Sequence, residues 1–151
     1  MAPNYNFWKE KIQLAKSENR PLVVLAPMAD VTDIAFRTMI QKYSRTGQPG
    51  GGPDVMWTEF VSADGLASAG RDALKRDLEY GSGERPIVAQ LFSSKPENMY
   101  QAVKLCKELG FDGVDINMGC PVGIIVNQGA GSAMIKNPEL AKQVIDAAQR
   151  A

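Results

Sequence analysis

The sequence contains no histidine, so any proton transfer it performs must run through cysteine, aspartate, glutamate, lysine or tyrosine. Its two cysteines are not in a CxxC spacing, which gives neither a disulfide framework nor a zinc site. No apolar run is long enough to span a bilayer, and residues 1–20 are too polar for a signal peptide, so a cytoplasmic location without membrane attachment is the expectation. Charge of one sign is also missing: 17 basic side chains face 17 acidic ones, so composition supplies no basic footprint for nucleic acid. The GxGxxG of dinucleotide-binding folds does not follow the first predicted strand, and no strand pair carries a hairpin signal. What remains is ordinary: 151 residues, 44% apolar and 23% charged, enough for one domain with a sizeable core.

The pattern that is present alternates strands and helices. Residues 1–20 read as a lead-in segment with a short amphipathic helix. Pro21–Ala26 reads as a buried strand closed by Pro27. Thr32 then caps a helix with Asp33 in its first turn, and Phe36, Met39, Ile40 and Tyr43 mark one helical face. A Gly/Pro loop covers Gly47–Pro53. A second strand is expected at Val55–Phe60, followed by one or two short helices between Ser62 and Tyr80. Pro86 introduces a third strand, Ile87–Phe92. Ser94 and Glu97 have capping-box spacing for a helix that stops at Gly110, with Pro96 in its first turn. The fourth strand is Gly113–Asn117, and Asn137-Pro138 opens a last helix carrying Leu140, Val144 and Ala148 on one side.

Four βα units with short apolar strands imply a parallel sheet covered by helices. From the pattern alone an open doubly wound sheet and a (β/α)8 barrel both stand. The chemistry-bearing residues nevertheless cluster at the carboxyl ends of different strands: Pro27-Met28, Glu59, Gln90, then Asn117 and Cys120. That placement is how a barrel assembles an active site. The fourth strand ends in VDINMGCPV, with a thiol set between Gly119 and Pro121. Cys106, by contrast, shares a helical face with Met99, Ala102 and Val103 and reads as core. Asp112 belongs to the turn before the strand, and Asp115 to a polar layer inside it. Gly129-Ala130-Gly131 reads either as a cradle for a phosphate through its backbone N–H groups or as a tight turn near the cysteine loop. Arg71, Lys75 and Arg76 read as a solvated helix face.

The segments APMADVTDIAFR, TEFVSADGL, RPIVAQLF, GFDGVDINMGCPV and QGAGSAMIKNP, in this order, resemble the tRNA-dihydrouridine synthases. The resemblance implies a (β/α)8 TIM-barrel flavin domain. About the first four βα units lie in residues 21–151, a half-barrel, and the family's C-terminal RNA-binding domain is absent from this sequence. It implies FMN as cofactor, NADPH as the electron donor, tRNA as substrate, and reduction of the uridine 5,6 double bond. By the same resemblance Pro27, Met28 and Ala29 lie against FMN, Gln90 hydrogen-bonds the flavin ring, and Asn117 sits close to the uracil. Cys120 matches the catalytic cysteine. Reduction of the double bond needs hydride at C6 and a proton at C5, and a thiol, largely protonated at neutral pH, serves as that acid.

The sequence departs from the family in two respects: its 151 residues hold about four βα units where a (β/α)8 barrel typically needs about 250 residues, and the run after GCP is Val122-Gly123-Ile124-Ile125-Val126, where relatives usually carry charge. Two other readings stand beside the enzyme. One is a non-catalytic half-barrel that self-associates through its open edges. The other is a flavin oxidoreductase acting on a free pyrimidine, as dihydroorotate dehydrogenases do.

Overall fold

The computed structural model describes residues 6–46, 48 and 50–151. Asn6 opens helix α1 (Phe7–Ser17), its side chain accepting the Lys9 N–H. Strand β1 (Val24–Leu25), helix α2 (Ile34–Tyr43) and strand β2 (Val55–Ser62) follow, then two single-turn helices, α3 (Ala63–Leu66) and α4 (Arg71–Leu74). Strand β3 (Ile87–Phe92), helix α5 (Pro96–Glu108), strand β4 (Gly113–Ile116), the short α6 (Gly123–Val126) and helix α7 (Pro138–Arg150) complete the order. Segments of 3₁₀ helix lie at Lys75–Leu78, Ser82–Glu84 and Gly131–Lys136.

The result is an α/β fold on a four-stranded sheet, every neighbouring pair parallel, in the order β1-β2-β3-β4. The order follows the chain without reversal, so all four carboxyl ends leave the sheet on one side. β3 is buried on both faces, as a central parallel strand should be. Ile87, Ala89 and Leu91 point to the helices and pack with Met99, Ala102 and Cys106 of α5 and Val144 of α7. Burying side chains of this size contributes about 1.5–3 kcal/mol each. On the other face Val55 and Val88 pack with Phe7, with Trp8 and Trp57 against them. Gly113 makes this possible: a Cβ there would stand 3.2 Å from the Phe7 ring.

Strand β2 carries an irregularity that matters for the site. Trp57 pairs with Val88 but Phe60 pairs with Gln90, so one extra residue is inserted at Thr58–Glu59. Such a bulge reverses which residues face which side. Met56 joins the helix-side core below it and Val61 joins the same core above it, while Phe60 turns to the opposite face with Phe92. Thr58 compensates for the disturbed ladder, its hydroxyl accepting the Gln90 N–H at 3.2 Å.

Four local expectations are corrected. The first strand is two residues long and half-exposed, with Val24 at 43% exposure and Val23 before it at 48%, because among the described residues it pairs on one side only and neither face is fully covered. Asp33, not Thr32, caps α2, accepting the Phe36 N–H at 2.8 Å. Thr32 is buried and engaged with the Met28 backbone instead. Met39 and Tyr43 of the expected α2 face are exposed, and the buried residue of that helix is Arg37. Finally, α5 has no capping box: Lys95 occupies the cap without a side-chain bond, Ser94 donates to the Gln128 carbonyl, and Glu97 accepts from Gln101. Pro96 does start the helix, and Gly110 ends it with φ +85°. Gly47 and Pro49 of the expected Gly/Pro loop, and residues 1–5 of the lead-in segment, lie outside the described residues.

Arg37 forms the deepest polar contact. Its Nε donates to Glu84 Oε2 at 2.5 Å, both side chains being fully buried. Its other nitrogens donate to the carbonyls of Thr32 (2.5 Å) and Glu79 (2.6 Å). Glu84 Oε1 in turn accepts the Gly81 N–H. A buried charge pair of this kind persists because nearly every lone pair and proton is used.

Candidate active site at the carboxyl end of the sheet

Gln90 and Asp115 face each other across the β3–β4 ladder, both on the sheet face turned away from α5 and α7. Gln90 Nε2 donates to Asp115 Oδ2 at 2.6 Å. Gln90 Oε1 accepts from Asn117 Nδ2 at 3.0 Å. Asn117 Oδ1 then accepts the backbone N–H groups of Gly119 (3.3 Å) and Cys120 (3.0 Å). The three side chains therefore form one chain of hydrogen bonds running from the sheet into the turn that holds the thiol. Gln90 is 8% exposed, and it has one amide proton and one carbonyl lone pair beyond those used.

The turn itself is not made by the glycine in the way the GCP motif suggests. Gly119 has open space where a Cβ would sit and no left-handed φ. The direction of the chain is set by Asn117, whose short side chain imitates a backbone acceptor. The far side of the cysteine is fixed by the Gly129–Gly131 segment: Ser132 N–H donates to the Cys120 carbonyl at 3.0 Å. Gly131 adopts φ +58°, and a Cβ there would stand 2.5 Å from that carbonyl. Only glycine meets both demands. Cys120 is half-buried against the cluster of Phe92, Ile125 and Ala130, which Phe60 also joins. The other thiol, Cys106, is fully buried in the helix-side core, and burial pushes it up to about 12. It has no part in a titrating site.

Pro27, Met28 and Ala29 lie in the loop after β1, on the same side of the sheet but two strands from Gln90, about 10 Å at ordinary strand spacing. The Met28 carbonyl accepts the N–H groups of Val31 and Thr32, and its N–H is held by Thr32 Oγ1 at 3.0 Å. The Met28 side chain is 41% exposed. The structure thus joins Gln90, Asn117 and Cys120 directly and keeps the Met28 loop as a separate wall. Sequence reading missed Thr58, which holds the Gln90 backbone, and the role of Ser132. Neither has a local signal, since both act through register. Beyond Cys120, Val122 and Ile124 are exposed and Ile125 is buried. An apolar groove of about 620 Å³ lies beside the edge of β4 between α5 and α7, on the opposite face from Gln90.

A second polar cluster caps the same end. Asp64 accepts hydrogen bonds from Ser93 (2.6 Å) and Asn98 (2.9 Å) and pairs with Lys95 at 3.0 Å. Burial would raise its carboxyl, but these three partners outweigh it and hold it below the usual carboxylate range.

An α/β protein with polar side chains and a thiol gathered at the ends of parallel strands has the layout of an enzyme active site. The family model described as dihydrouridine synthase matches residues 24–151, and the chain belongs to that family. It is 40% identical over 145 residues to a protein of Bacillus subtilis (strain 168) named "Probable tRNA-dihydrouridine synthase 2", covering 95% of this chain and 40% of the relative. It is 36% identical over 143 residues to a "Probable tRNA-dihydrouridine synthase" of Staphylococcus aureus (strain COL), covering 94% and 39%. A Staphylococcus epidermidis protein of the same name is 35% identical over 145 residues. The chain spans about two fifths of the length of these relatives.

Proposed function

We propose that this chain carries the ring-binding and proton-donating part of a tRNA-dihydrouridine synthase, the first four βα units of a (β/α)8 barrel formed from residues 21–151. The sequential, unreversed strand order supports a barrel over a doubly wound sheet, which binds its ligands at a reversal. The observation that carries the reading is the hydrogen-bonded series Gln90–Asn117–Cys120 at one sheet end.

The residues fit a flavin. Gln90 keeps a free donor and acceptor toward the open side, and the space beside Gly119 is clear. Gln90 and the Pro27–Ala29 loop would hold FMN, with Asn117 beside the uracil. When bound and reduced, FMN supplies hydride for C6 of the uracil. Cys120 donates the proton that C5 needs, its S–H bond breaking as the C5–H bond forms, and the thiolate is reprotonated from solvent. The backbone bonds on both sides of Cys120 hold the thiol in one place, the positioning a general acid requires. NADPH is the electron donor in this reading and the cytoplasm its place. The outer strands β1 and β4 are each paired on one side only among the described residues, and these are the edges through which self-association would run.

The test is dihydrouridine formation on unmodified tRNA, with flavin reoxidation followed in parallel, for the protein and its Cys120→Ala variant. Uridine reduction falls by about 10²–10⁴ in the variant while flavin reduction persists. Unchanged turnover by Cys120→Ala overturns the assignment of the proton donor.

A further inference from the structure

The Gln90–Asn117 series is closed at both ends by groups of fixed polarity: the Asp115 carboxylate, which accepts, and the Gly119 and Cys120 backbone N–H groups, which donate. A primary amide such as Gln90 or Asn117 fits its site in either of two orientations, related by exchange of oxygen and nitrogen. The two N–H groups remove the choice from the turn end, and Asp115 removes it from the sheet end. Its carboxylate demands an N–H, so Gln90 must turn Nε2 toward it, at 2.6 Å. That leaves Oε1 as the group facing Asn117, so Asn117 must present Nδ2, at 3.0 Å. Asn117 Oδ1 is then left facing the N–H groups of Gly119 and Cys120. If Gln90 were reversed, its Nε2 would face Asn117 Nδ2, or Asn117 would reverse as well and aim an N–H at two backbone donors. The register that places Asp115 opposite Gln90, and the Thr58 hydroxyl that fixes the Gln90 backbone, make the lower end of the series rigid.

We propose that Asp115 is a positioning residue for the reaction: it sets the polarity of the Gln90 and Asn117 amides, and through them the turn that presents the Cys120 thiol. This rests on the dihydrouridine synthase reading for its functional meaning, but the polarity effect is a property of this chain alone. It also fixes which half of Gln90 remains for a flavin. With Nε2 anchored below and Oε1 directed at Asn117, the amide offers its remaining proton and lone pair in a single arrangement rather than two.

The experiment compares Asp115→Ala and Asp115→Asn with Asp112→Ala, using amide hydrogen exchange at Gly119 and Cys120 and the alkylation rate of Cys120 by iodoacetamide. Asp112 is the control because it too is a carboxylate that accepts a hydrogen bond from β3, there the Ile87 N–H, and pairs with Arg85, yet sits at the opposite end of β4. Asp115→Ala leaves the Gln90 amide held from the Asn117 end alone, so the series loosens and exchange at both amides and alkylation of Cys120 rise about tenfold, the factor expected for losing one well-made hydrogen bond. Asp115→Asn retains an oxygen for Gln90 Nε2 and restores most of the protection. Asp112→Ala lowers stability while leaving both readouts at Cys120 unchanged. The proposal is overturned if Asp115→Ala leaves exchange and alkylation as in the parent, or if Asp112→Ala changes them equally. Exchange across β3 monitors folding in each variant. In active protein, Asp115→Ala lowers kcat for uridine reduction and also weakens flavin binding through the Gln90 amide. If the parent forms no dihydrouridine, the functional reading fails while the exchange result still decides the polarity effect.

Discussion

The Asn117 side-chain oxygen accepts the Cys120 N–H at 3.0 Å and the Gly119 N–H at 3.3 Å, so the residue expected beside the substrate also builds the turn that carries the thiol. Replacing Asn117 with alanine therefore damages two things together. It removes two acceptor contacts, worth about 0.5–1.5 kcal/mol each, and leaves Gln90 Oε1 without its donor. Asn117→Asp keeps the acceptor for the two backbone N–H groups but sets a carboxylate oxygen against Gln90 Oε1 in place of the donor. Urea denaturation should show Asn117→Ala less stable by about 1–2 kcal/mol, with Asn117→Asp retaining the exchange protection of Gly119 and Cys120. Equal exchange in the two variants would mean that the turn does not depend on the Oδ1 atom.

The Arg37–Glu84 pair should behave as a buried ion pair does. Taking away one member, as in Arg37→Met or Glu84→Leu, is expected to cost about 3–5 kcal/mol, because the other charge is left stranded. The double variant should be less damaged than the sum of the two single ones. A double-mutant cycle in urea measures the difference. Simple additivity would show the two side chains to be energetically independent despite their 2.5 Å separation.

The two thiols should be separable by reagent alone. Cys120 is partly accessible, whereas Cys106 is fully buried and its thiol is pushed up to about 12. Native protein should react with a disulfide reagent at Cys120 and only in denaturant at both positions. Cys106→Ala should lower stability by about 1 kcal/mol through lost packing and leave Cys120 reactivity untouched. Rapid labelling of Cys106 in the native state would show that the α5 core opens far more readily than its packing implies.

Acid should act through Asp54 and Asp64. The Arg20 hydrogen bonds lower Asp54 most, against a burial cost, with the Val23 N–H adding to them. For Asp64, burial is outweighed by Ser93, Asn98 and Lys95. Both carboxyls are held below their ordinary value of 3.8 in the folded state, so the unfolded chain takes up protons first. Their stabilising contribution is complete above that value and is lost as pH falls below it through the folded values. Melting temperature should be insensitive to these two groups at neutral pH and drop below about pH 4, with Asp54→Asn and Asp64→Asn variants showing a shallower acid drop. An unchanged acid slope in both variants would place the sensitivity elsewhere.

How much of this was legible from residues alone varied with how local the cause was. β3 was readable to the residue because a strand buried on both faces needs an unbroken apolar run, and α7 because Asn137 and Pro138 mark its start by short-range chemistry. β1 was misjudged since an apolar run looks the same at an open edge as in a core. The cap of α2 was misassigned between adjacent Thr32 and Asp33, either of which caps well; tertiary contact with Met28 claimed the threonine. Cys120 and Gln90 were visible as candidates, but their connection was not. It depends on a bulge in β2, on the β3–β4 register and on an amide polarity set 25 residues away in sequence. Arg37 and Glu84, 47 residues apart, left no trace in any window of sequence.

The contact of Phe7 with Gly113 and Val88 bears on where this unit begins. The family match starts at residue 24, but α1, which precedes it, roofs the sheet face that carries the candidate site. A domain trimmed to the span of the family model would lose Phe7 and Trp8 and leave Val55, Trp57 and Val88 facing water on a flat apolar surface, an invitation to aggregate. The matched span of the family model and the folding unit therefore have different borders in this protein, and the wider one is drawn by an aromatic ring seated where a glycine leaves it room.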